Sequence, residues 1–321
     1  MKKISLIIFF ILYFLKIYAD ENQTNSRNIL DLSYFPNAGK VFVIPSLSFI
    51  STSSSIDILN VLNDRYADVE SKSLDAGFEI GYGLTDYIAF SLSNSYYLKD
   101  STSTTFYDDA KVTEESEGLT DPDLTIGYRA YEGYFICDLY AAYSPELIDA
   151  KSSTDNKKGT EGRGGAAFDL GLALGKFINQ NEINFELTYS IISPREVKDA
   201  EDGTQTEIIG DHEFAASLNV QHRNDDFAIN LGLGYIHTFW SETSSKSDDS
   251  GFKIDPTNTY FISAGLLYAI INQQLAISAD YGYGITYAYN MKSKDKSASP
   301  VVFTNNESRI NVFNISTIFQ F

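Results

Sequence analysis

Residues 275–290 alternate strictly between two kinds of side chain. One set is aliphatic or aromatic and the other is small or polar: Leu275, Ile277, Ala279, Tyr281, Tyr283, Ile285, Tyr287 and Tyr289 against Ala276, Ser278, Asp280, Gly282, Gly284, Thr286, Ala288 and Asn290. Successive side chains of a β-strand point to opposite faces, so this period of two predicts a strand. The run is longer than the usual soluble strand of about 3 to 10 residues and suits a tilted strand that crosses a bilayer.

The same alternation recurs along the chain and predicts twelve strands. Their ranges are 40–52, 69–84, 87–98, 119–131, 134–144, 163–178, 182–192, 208–222, 226–240, 258–271, 274–290 and 308–321. Short turns and long polar segments alternate between them, which is typical of outer-membrane barrels with short periplasmic turns and longer extracellular loops. We therefore predict an all-β fold, a single closed antiparallel transmembrane β-barrel of about 12 strands over residues 40–321, with both ends periplasmic.

One proline conflicts with this assignment. Pro45 lies inside the first predicted strand, whereas every other proline falls in a loop or at a strand end. Because proline has no backbone N–H to donate, the sequence predicts a bulge at Pro45 or a strand that begins after it.

The N-terminus has the features of an export signal. Lys2 and Lys3 precede an uncharged apolar run over residues 4–15, and Ala19 offers a small residue before a cleavage point. We predict a signal peptide over residues 1–19, followed by an N-terminal periplasmic segment over residues 20–39. The alternative is an uncleaved anchor, although Lys16 interrupts the run and about 20 apolar residues are needed to span a bilayer.

Composition excludes several classes of function. The formal net charge of −19 argues against nucleic-acid binding, which needs a basic face. Cys137 is the single cysteine, so no internal disulfide forms. No Cys/His cluster or glycine-rich phosphate loop is present, and we expect no metal and no cofactor. The acidic loop segments 196–202 and 248–255 are interpreted as solvated charge, with divalent-ion binding as the alternative.

The inner face of the predicted barrel carries acidic side chains. The residues predicted to line the lumen and to set selectivity are Asp75, Glu79, Asp123, Arg129, Asp138, Asp169, Glu186, Glu213 and Asp280. Acids in a low-dielectric tube favour cations. Alternatively, some of them pair with Arg129 and hold a plug together. Glycines on the same face, among them Gly77, Gly171 and Gly282, either keep the lumen clear or permit strand coiling.

Catalysis is not expected. Some twelve-strand barrels are outer-membrane phospholipases with a Ser/His/Asn site, but the motif around their serine is absent here. His237 lies on the lipid-facing side close to Phe239 and Trp240, where an aromatic belt at the membrane interface explains it.

Three segments resemble a known family. Gly81-Tyr82-Gly83-Leu84-Thr85-Asp86, residues 117–129 and residues 162–176 resemble the putative outer-membrane transporters named after the meta pathway of phenol degradation. Thr120 replaces the second glycine of the family's Gly-Leu-Gly-Asp pattern, and Pro122 is inserted. The resemblance implies a barrel transporter. The alternating last strand ending in Phe321 resembles those of bacterial outer-membrane barrels and implies recognition by the outer-membrane assembly machinery.

Two functions remain open. The first is an outer-membrane channel for passive uptake of small solutes, aromatic or cationic and neutral, through a narrow lumen. The second is a surface-exposed structural or adhesion barrel with an occluded lumen. The expected partners are the lipid bilayer, lipopolysaccharide and a small solute.

Overall fold

The computed structural model describes residues 28–58, 65–152, 158–199, 204–246, 250–271, 274–294 and 301–321. The predicted signal peptide and residues 20–27 lie outside this part. Twelve long strands form the wall: β1 (Val41–Ile58), β2 (Arg65–Gly83), β3 (Ile88–Phe106), β4 (Asp123–Glu132), β5 (Ile136–Ser144), β6 (Ala167–Ile178), β7 (Asn181–Ile192), β8 (Glu213–Arg223), β9 (Phe227–Thr238), β10 (Thr257–Ile271), β11 (Leu275–Thr286) and β12 (Ser308–Gln320). No helix in the described residues is long and apolar enough to cross a membrane.

Each wall strand pairs antiparallel with its neighbours in the chain, and β12 returns to β1. Phe42 of β1 lies opposite Gln320 of β12, and the Phe321 N–H donates to the Val41 carbonyl at 2.9 Å. The predicted closed barrel of twelve strands is therefore confirmed. The short turns lie together at one end, which we call the periplasmic end, and the long segments lie at the other, the extracellular end.

Pro45 neither bulges the first strand nor delays its start. The strand begins at Val41, and Pro45 lies in register opposite Phe78 of β2. The ladder to β12 has no pairs at Ile44 and Pro45, although it continues on both sides. The missing N–H of the proline is thus directed to the seam between the first and last strands, where an interruption leaves the ladder to β2 intact.

The outer face is apolar and ends in an aromatic row. Large hydrophobic side chains such as Phe78, Leu231 and Ile262 are about half exposed to the surroundings of the barrel. Towards the extracellular end, neighbouring aromatic rings across β7, β9, β10 and β11 lie with centroids 4.8 to 6.5 Å apart. We call this row the aromatic girdle: Tyr189, Tyr235, His237, Phe239, Tyr260 and Tyr287.

The long segments were predicted as loops, but much of their length is β-structure. β1, β2 and β3 extend well past the predicted strands, and β11 stops at Thr286 instead of 290. Nine short strands in the described part continue the wall as an extracellular collar: Lys111–Leu119, Ala150–Ser152, Thr160–Glu161, Arg195–Asp199, Gln205–Gly210, Ser241–Ser245, Phe252–Ile254, Tyr289–Ser293 and Val302–Asn305. The sequence does not reveal these short strands. Both of their faces contact water, so polar side chains occur on both faces and the alternation of apolar and polar residues is lost.

Candidate functional site

Residues 28–36 fold into the periplasmic end of the lumen, and we call them the plug. Ile29 and Leu30 are each 1% exposed and pack against Ala228, Ala269 and Ala276 on the inner faces of β9, β10 and β11. Small alanines on the wall leave the space that the two larger side chains occupy. Burial of two aliphatic side chains contributes about 1.5 to 3 kcal/mol each before ordering costs, so the plug is anchored partly by the hydrophobic effect.

Glu182 on β7 holds the centre of the plug. Its carboxylate accepts the backbone N–H groups of Leu32 and Ser33, each at 2.8 Å, and also the Ser33 hydroxyl. Asn184, on the same inner face, donates to the Ser33 hydroxyl oxygen at 3.1 Å. Two backbone N–H groups and one hydroxyl of the plug therefore bind wall side chains of β7. Glu182 is not among the lumen residues predicted from the sequence, although it points to the same face of β7 as the predicted lumen residue Glu186.

Arg129 also binds the plug. It is fully buried, and its guanidinium donates twice to Asp138 on β5, at 2.8 and 2.9 Å. A third N–H donates to the Ser33 carbonyl at 2.7 Å, and the group lies 4.8 Å from the centre of the Phe35 ring. Of the nine predicted lumen residues, Arg129 and Asp138 thus form an ion pair that fastens the plug, as the alternative interpretation of the inner charges anticipated.

Two further contacts fasten the sides of the plug. Asp31 pairs with Arg223 at the end of β8. Burial raises the pKa of the Asp31 carboxyl above its ordinary value, and the facing Arg223 opposes that shift only in part. Tyr34 donates to Gln320 of β12 at 2.7 Å, and burial raises the pKa of Tyr34 to about 12. The plug therefore contacts β4 and β7 to β12 inside the periplasmic end of the barrel.

The other seven predicted lumen residues lie on the inner face beyond the plug: Asp75, Glu79, Asp123, Asp169, Glu186, Glu213 and Asp280. Glu186, for example, is farther from the short turns than Glu182 on the same strand, and Asp280 is farther from them than Ala276. Two of them accept hydrogen bonds from neutral groups: Asp123 accepts from Ser144, and Glu213 accepts from Thr238 at 3.1 Å. In the described part of the chain, none of these seven side chains forms an ion pair.

One interpretation of the sequence expected the inner glycines to leave empty space. Neighbouring side chains occupy the space next to most of them instead. A Cβ added to Gly171 would lie 1.8 Å from the ring of Tyr140, and one added to Gly234 would lie 1.8 Å from the ring of Phe261. These aromatic side chains lie over glycines of the adjacent strand on the inner wall. Gly282 differs, because its nearest atoms would be 3.8 Å away. Only some of the inner glycines therefore lie under rings, because a Cβ on Gly77, Gly232 or Gly265 would meet a polar side chain instead.

The two longer motifs behind the family resemblance meet at the extracellular end. Asp121 is buried, and its carboxylate accepts the N–H groups of Leu147, Ile148 and Arg163 at 2.8 to 2.9 Å. Gly164 has φ +76°, and a Cβ there would lie 2.4 Å from the Glu196 carbonyl oxygen. The motifs thus fix the segment between β5 and β6 to the collar, and their strand portions carry the inner residues Asp123, Arg129 and Asp169.

A cofactor site is not apparent. Within the residues that the structure covers, no three His, Cys, Asp or Glu side chains are grouped to hold a metal ion.

Comparison with solved structures identifies the fold. The COG4313 outer membrane channel from Pseudomonas putida F1 is similar with a TM-score of 0.55 and 13% identity, covering 95% of this chain and 100% of that chain. This chain is an outer-membrane β-barrel. The outer-membrane barrel also matches the TodX monoaromatic hydrocarbon channel (TM-score 0.45, 10% identity, 91% and 92% covered) and a FadL homologue from Pseudomonas aeruginosa (0.40, 11%, 89% and 91%).

The sequence itself matches no protein-family model and no curated protein. At 13% identity the similarity concerns the fold of an outer-membrane channel, and the resemblance to the meta-pathway transporters stays a prediction. The barrel lies in lipid, with its apolar outer face as the contact surface.

Proposed function

We propose that this barrel is a channel for small cationic or neutral solutes and that the plug closes its periplasmic exit. The observation that carries the proposal is a set of seven inward carboxylates between the collar and the plug, for which the described residues supply no ion-pair partner. A wall of this kind concentrates cations and repels anions, because the surrounding protein and lipid have a low dielectric constant.

The contacts that hold the plug also allow its release. Its polar anchors are wall side chains that water can replace once the segment leaves, and Gln221 beside it is 1% exposed with no hydrogen-bond partner among the described atoms. A buried amide without partners costs about 1 to 3 kcal/mol unless water reaches it. When the plug separates from the wall, water reaches Gln221 and removes this cost. Separation of the plug is therefore favoured at this position and leaves the strands intact.

A second candidate is the surface-exposed barrel with an occluded lumen. The plug at the periplasmic end and the ordered collar favour it. The two candidates differ in one property: a channel conducts once the plug is removed, whereas a surface barrel has no conducting path to uncover.

Planar-bilayer conductance of an unplugged variant tests the proposal. Ile29→Asp combined with Leu30→Asp places two charges against alanines and other apolar side chains such as Leu267 and Ile318, so the plug cannot seat. The matched control is Val112→Asp with Leu147→Asp, which makes the same change at exposed collar positions. A folded barrel is verified for each by its heat-dependent shift in electrophoretic mobility.

We expect higher conductance from the unplugged variant than from the wild type and the control, with cation preference in a salt gradient. Adding Glu79→Gln and Asp280→Asn should reduce that preference. A folded but silent unplugged variant would establish the surface role instead, and anion preference would contradict the acidic lining as the filter.

A further inference from the structure

A pair of lysines lies directly beyond the aromatic girdle. Lys253 and Lys292 occupy opposite positions on the collar strands Phe252–Ile254 and Tyr289–Ser293, and both are exposed. Directly opposed like charges destabilise a pair of strands. Strand pairing alone therefore does not explain the two lysines, whereas an anion between them would.

Neighbouring acids neutralise this pair only in part. Glu242 is opposite Lys253, but its ion pair, at 2.5 Å, is with Lys294, which also donates to Ser244. Asp255 approaches Lys292 at 3.4 Å, a long contact at a site about half exposed. Among the described residues, Lys253 forms no ion pair, and the local balance is positive on a chain of formal net charge −19.

An aromatic ring completes the site. The Lys253 ammonium lies 5.7 Å from the centre of the Trp240 ring, which is exposed on the same outer surface. Trp240 follows Phe239 of the girdle, and Tyr287 of the girdle is five positions before Lys292 in the chain. Aromatic rings of this kind mark the level where lipid headgroups begin. The lysines therefore lie at headgroup height.

We propose that Lys253, Lys292 and Trp240 bind a phosphate group of a phosphorylated glycolipid in the outer leaflet, the lipid A part of lipopolysaccharide. The two ammonium groups contact the phosphate oxygens, and the indole lies against the sugar and the start of the acyl chains. Basic side chains at a membrane surface bind anionic headgroups with about 1 kcal/mol each. This inference concerns the outer surface and is independent of the proposed channel.

Trp240 is the single tryptophan of the chain, so its fluorescence reports on this site. The full-length protein in micelles is titrated with bis-phosphorylated lipid A, with lipid A lacking phosphate, and with inorganic phosphate. The test variant is Lys253→Gln/Lys292→Gln, and the matched control is Lys111→Gln/Lys158→Gln, which removes two exposed collar lysines elsewhere. Native mass spectrometry counts bound lipid as a second measurement.

For the wild type and the control we expect saturable fluorescence change and bound lipid with bis-phosphorylated lipid A only. The test variant should bind about 30-fold more weakly, since two contacts of about 1 kcal/mol are lost. Equal affinity of the test variant, equal weakening in the control, or equal binding of lipid A without phosphate would overturn the proposal. Tighter binding of free phosphate than of the lipid would do so too, because it assigns the site to the ion.

Discussion

The glycines on the inner wall of the barrel differ in the neighbouring atoms that lie next to them. Gly171 lies under the Tyr140 ring, whereas a Cβ on Gly282 would make only ordinary van der Waals contacts at 3.8 Å, although both alternate with lipid-facing residues in the same way. The identity of the neighbour across the strand pair makes the difference, and that neighbour is distant in sequence.

Gly171→Ala should therefore destabilise the barrel by about 1 to 3 kcal/mol, the usual cost of overpacking, because the Tyr140 ring has to move. Gly282→Ala is the matched control and should change the free energy of unfolding little. Urea unfolding in micelles measures both. The Gly171→Ala/Tyr140→Ser double variant should recover part of the loss; an additive loss would show that the ring is not the cause.

Asp31 should make plug closure depend on pH. Its pKa is raised in the seated plug by burial, so the seated form binds the proton more tightly than the released form does. The corresponding stabilisation of the seated plug is complete below the ordinary carboxyl pKa and is lost as pH rises through the raised value. Arg223, Arg129 and Glu182 are the charged groups that face Asp31.

Bilayer conductance of the wild type should therefore fall on acidification from neutral pH. Asp31→Asn removes the titrating group and should lose this part of the pH dependence, while Asp225→Asn at an exposed turn should keep it. Conductance that rises on acidification, or an unchanged profile in Asp31→Asn, would rule out Asp31 as the titrating group.

At the scale of elements, Asp121 organises the segment between β5 and β6. Replacing it with alanine leaves three backbone N–H groups without their acceptor, a loss of about 1 to 3 kcal/mol per buried group that water does not reach. Asp121→Ala should therefore speed trypsin cleavage after Arg163 in the folded barrel. Glu307→Ala, at an exposed collar position, is the control, and unchanged cleavage would show that Asp121 does not hold this segment.

At the scale of the whole molecule, the seam between β1 and β12 closes the barrel, and Pro45 removes one donor from it. Pro45→Val restores the N–H opposite β12 and should add a hydrogen bond of about 0.5 to 1.5 kcal/mol, slowing unfolding in denaturant. Val43→Ala tests the same strand without a new donor. Unfolding that is not slower in Pro45→Val would mean that the seam already compensates for the proline.

The sequence by itself determined the strand number, the faces of the wall and the inward carboxylates, because alternation and turn length are local and repeat at every strand. It predicted an irregularity at Pro45, but not that the missing N–H of this proline faces β12 at the seam. It also placed Asp75 and Asp280 on the inner face, since each lies between apolar neighbours of opposite phase.

Only the tertiary structure decided what those inner residues contact. In the sequence, nothing distinguishes Arg129, Asp138 and Glu182 from the other inward charges, because residues 28–36 contact them only in the folded barrel. Likewise, Lys253 and Lys292 are far apart in the chain and become neighbours only because the collar strands pair. The plug carries no repeating pattern, because a segment inside a barrel is matched to side chains from many strands and not to its own neighbours. Its position therefore follows from closure of the whole ring, which local sequence does not encode.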